Sequence, residues 1–245
     1  MNSKDHSIQQ ITKGESEEWG PVWMNKHEIS YLSQKPDEIS IIKYNLKTQV
    51  VVKLAHPKEC RIDDKNIVYS ATLNKQLYTC SGDIYLFDEA TSTSSNLTQD
   101  LSGTANYVGW VKGKEEITFT SNHEGNNEIY CLNLKTNSLV NITKNGANDE
   151  RGDISADGKF LVFSTDRFEK GNQEIAIQNL ITNQVERITS SKGTELIARW
   201  SGDMNKIYFG SNKDGNWELY YYDLKSKKEV RLTNDEGFDG DPRIY

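Results

Sequence analysis

Leu196–Thr233 reads LIARWSGDMNKIYFGSNKDGNWELYYYDLKSKKEVRLT. Two runs of strand character, Lys206-Ile207-Tyr208-Phe209 and Trp217-Glu218-Leu219-Tyr220-Tyr221-Tyr222, flank Asn212-Lys213-Asp214-Gly215-Asn216. The Gly and the Asn/Asp residues of that link supply the positive φ of a tight hairpin, so the two runs pair. A run ending in Ala198-Arg199-Trp200 precedes them, and Val230-Arg231-Leu232-Thr233 follows after the polar turn Lys225-Ser226-Lys227-Lys228. Four short strands joined in succession by turn residues form an antiparallel meander.

The same unit recurs along the chain. An acidic residue followed by an aliphatic one opens the third strand at Glu38-Ile39, Asp83-Ile84, Glu128-Ile129, Glu174-Ile175 and Glu218-Leu219, at steps of 44 to 46 residues. The fourth strand repeats as Gln10-Ile11-Thr12, Lys53-Leu54-Ala55, Asn96-Leu97-Thr98, Asn141-Ile142-Thr143, Arg187-Ile188-Thr189 and Arg231-Leu232-Thr233. Aromatics at Tyr31, Tyr69, Phe119, Phe163 and Phe209 mark the second strand. Four strands in a period of about 40 to 50 residues are the pattern of a β-propeller. The expected fold is therefore an all-β propeller of four-stranded antiparallel blades forming one domain over residues 1–245. It holds five complete repeats plus a split or reduced sixth blade, or alternatively a closed five-bladed ring.

Composition narrows the function classes. The formal charge of −7 argues against a nucleic-acid surface, which needs clustered Lys and Arg, and Lys227-Lys228 reads as a solvated turn. No apolar run reaches the length of a membrane span. The 12 Tyr, 7 Phe and 5 Trp provide the large side chains that pack sheet against sheet in an otherwise polar chain. Cys60, Cys80 and Cys131 are odd in number and lack CxxC spacing, so free thiols are expected rather than a disulfide framework or a zinc site. The sequons at Asn96-Leu97-Thr98 and Asn141-Ile142-Thr143 are explained by the repeat itself.

In chain order, residues 1–7 form a polar tail and Ile8 to Thr12 a lone fourth strand. The second repeat diverges most, with Ile62 in place of a Trp and an enlarged loop from Leu73 to Ser81. After the fifth repeat, Pro242 to Tyr245 has the form of one more first strand, expected to pair with Ile8–Thr12 and close the ring.

Several of these motifs carry a family resemblance. Ser155-Ala156-Asp157-Gly158-Lys159, Leu161-Val162-Phe163-Ser164, Asn127-Glu128-Ile129-Tyr130 and Arg231-Leu232-Thr233 resemble the TolB-like β-propeller repeat, which is also WD40-like in its blade plan. The resemblance covers nearly the whole chain and implies a bladed ring with an axial tunnel. In the family's namesake it implies a periplasmic role in binding partner proteins of the cell envelope. Met1-Asn2-Ser3-Lys4-Asp5-His6 lacks the apolar stretch of a signal peptide, and the namesake's N-terminal α/β domain is missing. The expected compartment for the chain as given is cytoplasmic, or periplasmic or secreted if an export signal has been removed.

Three candidate sites follow from the repeat. The oxygens of Asn122, Glu124, Asn126 and Glu128, and of Asn212, Asp214, Asn216 and Glu218, alternate as in a calcium loop but miss EF-hand spacing, so a hairpin with solvated side chains is expected. The repeated Glu128, Glu174 and Glu218 are expected to make a structural hydrogen bond, since a catalytic group is needed in only one copy. Five residues before Trp23, Trp110, Ile154, Trp200 and Ile244 stand Glu18, Ala105, Asp149, Glu195 and Asp239, with Asn106 beside the one exception. First strands line a propeller tunnel, so Glu18, Asp149, Glu195, Asp239 and Asn106 are the candidate partner-binding residues of an acidic mouth. The alternative is that each carboxylate is held by its own inter-blade loop.

Catalytic signals are thin. GxSxG, HExxH and Walker motifs are absent, and His6, His27, His56 and His123 share no metal-ligand spacing. No catalytic residue, metal ligand or cofactor is assigned, and a divalent cation in the tunnel is left open. The expected function is a non-catalytic, monomeric binding module for a protein, peptide or small ligand. The alternative is a propeller-based enzyme, such as a metal-dependent lyase or hydrolase, or the propeller part of a peptidase.

Overall fold

The computed structural model describes residues 8–13, 16–36, 38–54, 68–70, 73 and 75–245, and among them every regular element is a β-strand. No helix of these residues is long and apolar enough to cross a membrane. The first sheet takes β1 (Glu17–Asn25), β2 (Glu28–Lys35), β3 (Glu38–Asn45) and β4 (Val51–Lys53). The second takes β5 (Val68–Ser70), β6 (Lys75–Cys80), β7 (Asp83–Asp88) and β8 (Thr93–Asn96), and the third β9 (Ala105–Trp110), β10 (Glu116–Ser121), β11 (Glu128–Asn133) and β12 (Ser138–Asn141). The fourth holds β13 (Asp149–Ile154), β14 (Phe160–Thr165), β15 (Glu174–Asn179) and β16 (Val185–Arg187), and the fifth β17 (Glu195–Trp200), β18 (Lys206–Ser211), β19 (Glu218–Asp223) and β20 (Lys228–Arg231). Each sheet is a four-stranded antiparallel meander in sequence order, so the molecule is an all-β, five-bladed propeller.

Local chemistry sets the turns. Each third strand ends on Asn or Asp, whose side chain caps the hairpin: Asn133 Oδ1 accepts from the Lys135 and Thr136 amides, both at 3.0 Å, and Asn179 Oδ1 repeats this on Ile181 and Thr182. Between second and third strands an aromatic pair recurs, Tyr78 opposite Tyr85, Phe119 opposite Tyr130 and Phe209 opposite Tyr220, each stacked at 5.3 to 5.8 Å between ring centroids.

The cores lie between blades. Because successive side chains of a strand point to opposite faces, one strand feeds two interfaces. Leu161 and Phe163 of β14 pack with Ile129 of the third blade, whereas Val162 joins Ala198, Ile207 and Phe209 of the fifth. Similar clusters join the first blade to the second and the second to the third. Third strands are accordingly buried on both faces in β11 and β15. In β19, Leu219 and Tyr221 are only half-buried, since among the described residues no core cluster joins the fifth blade to the first.

Three expectations are corrected. The second blade's second strand is β6, not a segment around Tyr69, which falls in β5, and Leu73–Ser81 is largely strand rather than an enlarged loop. The signal was the two-residue turn Ser81-Gly82, with φ of 53° and 84°, as a tight hairpin needs. Neither Ile8–Thr12 nor Pro242–Tyr245 forms a strand, so the expected paired sixth blade is not built. The C-terminal segment nevertheless occupies an inner-strand position. Trp23 Nε1 donates to Arg243 O at 3.0 Å, as Trp200 Nε1 does to Asp153 O of the preceding blade. Residues 1–7, Cys60 and Ile62 lie outside the described residues.

Candidate functional site

The repeated acidic residue of the third strand is a clamp. Glu174 is fully buried and accepts from Thr189 Oγ1 at 2.7 Å, Arg187 Nη2 at 2.6 Å and the Ser191 amide at 3.2 Å. Thr189 Oγ1 in turn accepts from the Ile175 amide at 2.8 Å. The pattern returns as Glu128 with Thr143 and as Asp83 with Thr98, while Glu218 takes Arg231 Nη2 at 2.7 Å. Thus the acid and the Thr, some 15 residues apart, tie the start of the third strand to the chain leaving the fourth. This is the structural role the recurrence predicts.

The hairpin asparagines are not simply solvated, which corrects that expectation. Asn122 Oδ1 accepts the Thr104 amide at 2.7 Å, and Asn212 Oδ1 the Thr194 amide at 2.8 Å, fastening the preceding inter-blade loop. Asn172 and Asn216 donate to Ser191 O and Asp235 O in the following loop. No group of three or more His, Cys, Asp or Glu stands close enough to hold a metal among the described residues. His27 lies in the β1–β2 turn, and His123 meets Ser102 Oγ at 3.2 Å on the surface. His6 and His56 lie outside the described residues.

The four carboxylates expected at the mouth separate into two pairs. Asp149 and Glu195 are fully buried and turned into their own blades. Asp149 accepts from Arg167 Nη2 at 2.7 Å and Asn145 Nδ2 at 2.5 Å, and Glu195 from Ser211 Oγ at 3.0 Å and from Ser191 Oγ. Burial, with the charge of Glu174 adding to it and Ser191 opposing it, pushes the Glu195 carboxyl up to about 7. These two do not face the tunnel, and the expected ring is corrected to that extent. Glu18 and Asp239 do line the axial cavity, which has a volume of about 570 Å³. Ser16 Oγ donates to Glu18 at 2.7 Å, and burial together with Asp235 raises the Asp239 carboxyl. Asn106 sits in β9 opposite Thr120 and is not among the cavity's lining residues.

The axis also presents cations. Four of the five inner strands, β1, β9, β13 and β17, are bulged at one equivalent position, held at φ of 59° by Gly20, 53° by Tyr107, 60° by Arg151 and 59° by Ile197. A bulge re-aims the side chain it carries, here into the tunnel. The Arg151 guanidinium stacks 3.9 Å over the Tyr107 ring, donates to Tyr107 Oη at 2.6 Å and pairs with Glu150. One residue before Trp200 and Ile244 stand Arg199 and Arg243, which line the same cavity. Sequence reading missed these arginines because it examined the acidic position five residues before Trp200 and Ile244 and not the residue immediately before them.

One thiol differs from expectation. Cys80 is disulfide-bonded, whereas Cys131 is a free, half-buried thiol raised to about 11, mainly by burial.

Blades, inter-blade cores and an axial cavity define a β-propeller. Residues 155–241 match the family described as Dipeptidyl peptidase IV (DPP IV) N-terminal region. The chain is 26% identical over 178 residues, 70% of its length, to the Protein TolB homolog of Chlorobium chlorochromatii. It is 22% identical over 202 residues, 77% of its length, to the Tol-Pal system protein TolB of Helicobacter hepaticus. It spans less than half of each of these relatives, 40% and 46%. The solved structure of a putative TolB from Agrobacterium tumefaciens superposes with a TM-score of 0.81 at 16% identity, covering 95% of this chain and 86% of that one. In repeat sequence and in fold the chain is similar to the β-propeller of TolB proteins.

Proposed function

We propose that the chain is a non-catalytic scaffold that binds a protein or peptide at the tunnel mouth and its surrounding loops. The observation that carries this reading is the axial cavity, whose lining among the described residues holds no His, Cys, Ser, Thr or Lys. It therefore offers recognition groups without a nucleophile and base. Glu18 and Asp239 at the cavity give it acidic groups for a basic segment of the partner. The name of the Helicobacter hepaticus relative supports a role among the proteins of a Tol-Pal system. The disulfide at Cys80 favours an oxidising compartment over the cytoplasm.

The test is capture of partners by the immobilised protein at low and high salt, comparing the parent with the double variant Glu18→Gln/Asp239→Asn. The parent retains a partner that the variant holds more weakly, and the gap narrows as salt screens the attraction. Equal retention at both salt concentrations defeats the acidic-mouth reading. A second reading, the propeller portion of a peptidase, is favoured by the match of 155–241 to the dipeptidyl peptidase family. Hydrolysis of a chromogenic dipeptide substrate by the captured complexes separates the two.

A further inference from the structure

The tunnel holds a cation that, among the described residues, has no ion-pair partner. Arg199 Nη1 donates to two backbone carbonyls, Ala198 O at 2.8 Å and Arg151 O at 3.2 Å, and among the described residues no carboxylate comes within ion-pair distance. Its neighbours are already engaged: Arg151 pairs with Glu150, and Arg243 with Asp241 at 2.8 Å. Asp153, the acidic group nearest in its influence, turns one oxygen to the Trp200 amide at 3.0 Å, and burial raises its carboxyl. Burial first, and the charge of Arg243 second, draw the Arg199 guanidinium down to about 10. A half-buried guanidinium beside like charge is costly, and the charges of Asp153 and Asp241 offset only part of that cost, which leaves room for a further anion.

The geometry points to a carboxylate-binding site in the tunnel, in which Arg199 is the anchor, and Arg243 and the Arg151–Tyr107 stack complete the cradle. A guanidinium presents a planar fork that matches a carboxylate with two parallel hydrogen bonds. The cavity of about 570 Å³ has the size of a ligand pocket, and Ile197, Trp19 and Phe238 add apolar surface for a hydrocarbon body. Arg151 is held by left-handed backbone, φ of 60°, a conformation that residues with a side chain rarely adopt. The bulge belongs to the architecture, since Tyr107 and Ile197 share it, but only β13 uses it to aim a cation at the axis. The carboxylate belongs to a small organic acid or to a chain terminus entering along the axis. Either source is distinct from the basic segment proposed at the mouth.

Thermal-shift and calorimetric titrations test this with three probes: glutarate, a tripeptide with a free C-terminus, and the same tripeptide amidated. Glutarate in hundredfold excess over its Kd raises the parent's Tm by roughly 5 °C. Arg199→Met abolishes the shift, and Arg199→Lys, which keeps the charge but loses the fork, weakens Kd by roughly tenfold. A shift from glutarate alone assigns a small acid, and a shift from the free but not the amidated tripeptide assigns a chain terminus. If Arg199→Met does not fold, Arg199→Lys and Tyr107→Phe decide, each expected to weaken binding. The inference is overturned if neither glutarate nor the free tripeptide shifts the parent, if the variants bind as the parent does, or if inorganic phosphate binds as well as glutarate. No partner protein is needed, so failure here is separate from failure at the mouth.

Discussion

Glu174 and Arg199 are both charged groups withdrawn from bulk water, and their surroundings differ in kind. Glu174 meets a hydroxyl, a guanidinium and an amide, and the same set returns in other blades. Among the described residues Arg199 has two backbone carbonyls and no ion-pair partner, and only Arg243 stands at the equivalent repeat position. A buried carboxylate with its donors in place contributes to one unique arrangement of loops. A half-buried cation without an ion-pair partner contributes less, through its two carbonyl contacts, which is why the two regions are assigned different purposes. In this propeller, repetition with satisfaction marks architecture, and rarity without it marks recognition.

The largest effect tests the architectural side. Glu174→Ala strands Arg187, Thr189 and the Ser191 amide in a closed site, a change of about 3–5 kcal/mol. The Tm, read by thermal denaturation, falls by roughly 10 °C. Arg199→Met, which removes a cation that has no ion-pair partner among the described residues, leaves the Tm of the ligand-free protein equal to the parent's or higher. Equal losses at the two positions would erase the distinction.

Glu195 lies between these extremes, and pH exposes it. Its carboxyl is pushed up to about 7 by burial, so the folded state holds a proton that the unfolded chain, with an ordinary carboxyl, releases. The stabilisation tied to the protonated form is complete below the unfolded pKa and is lost as pH rises through about 7. Glu195→Gln, which mimics the neutral group, therefore gains on the parent between about pH 4.5 and 8. Tm measured across that range shows the gap opening in the variant's favour, and parallel curves refute it. Of the groups around it, Ser191, Ser211 and Thr189 carry no titrating charge, while the charges of Glu174 and Lys213 also face it.

The period was legible because three features recur together: the acid-aliphatic pair, the aromatic of the second strand and the Leu-Thr or Ile-Thr after the fourth. Each has a physical reason to recur, in the clamp, the stacked pair and the closing amide contact. The second blade was misread where Val68 and Tyr69 resembled a second strand and Ser81-Gly82 was absorbed into a loop. The mouth was misread for a different reason. Alignment places Asp149 and Glu195 at the head of each inner strand but does not say which way they point, and the bulge two residues later changes the facing within one strand. A usable signal for the tunnel was present in Arg199-Trp200 and Arg243-Ile244, where an arginine precedes the same repeat position.

The smallest effect asks whether the motif or its partners make the clamp. Glu38 opens β3 exactly as Glu174 opens β15, but the sequence places Ala55 where the other blades have Thr, and the carboxylate is 57% exposed beside Lys53. Without the hydroxyl there is no relay from the acid to the backbone amide, and an exposed pair with lysine is worth less than about 1 kcal/mol. Glu38→Ala should therefore move the Tm by no more than roughly 2 °C, against the large fall at Glu174. What little it moves should disappear in high salt, because screening already removes the interaction with Lys53. A loss comparable to that of Glu174→Ala would mean that the acid stabilises the blade by itself. The argument that satisfied partners, rather than the acidic residue alone, distinguish the clamp from the tunnel would then fail.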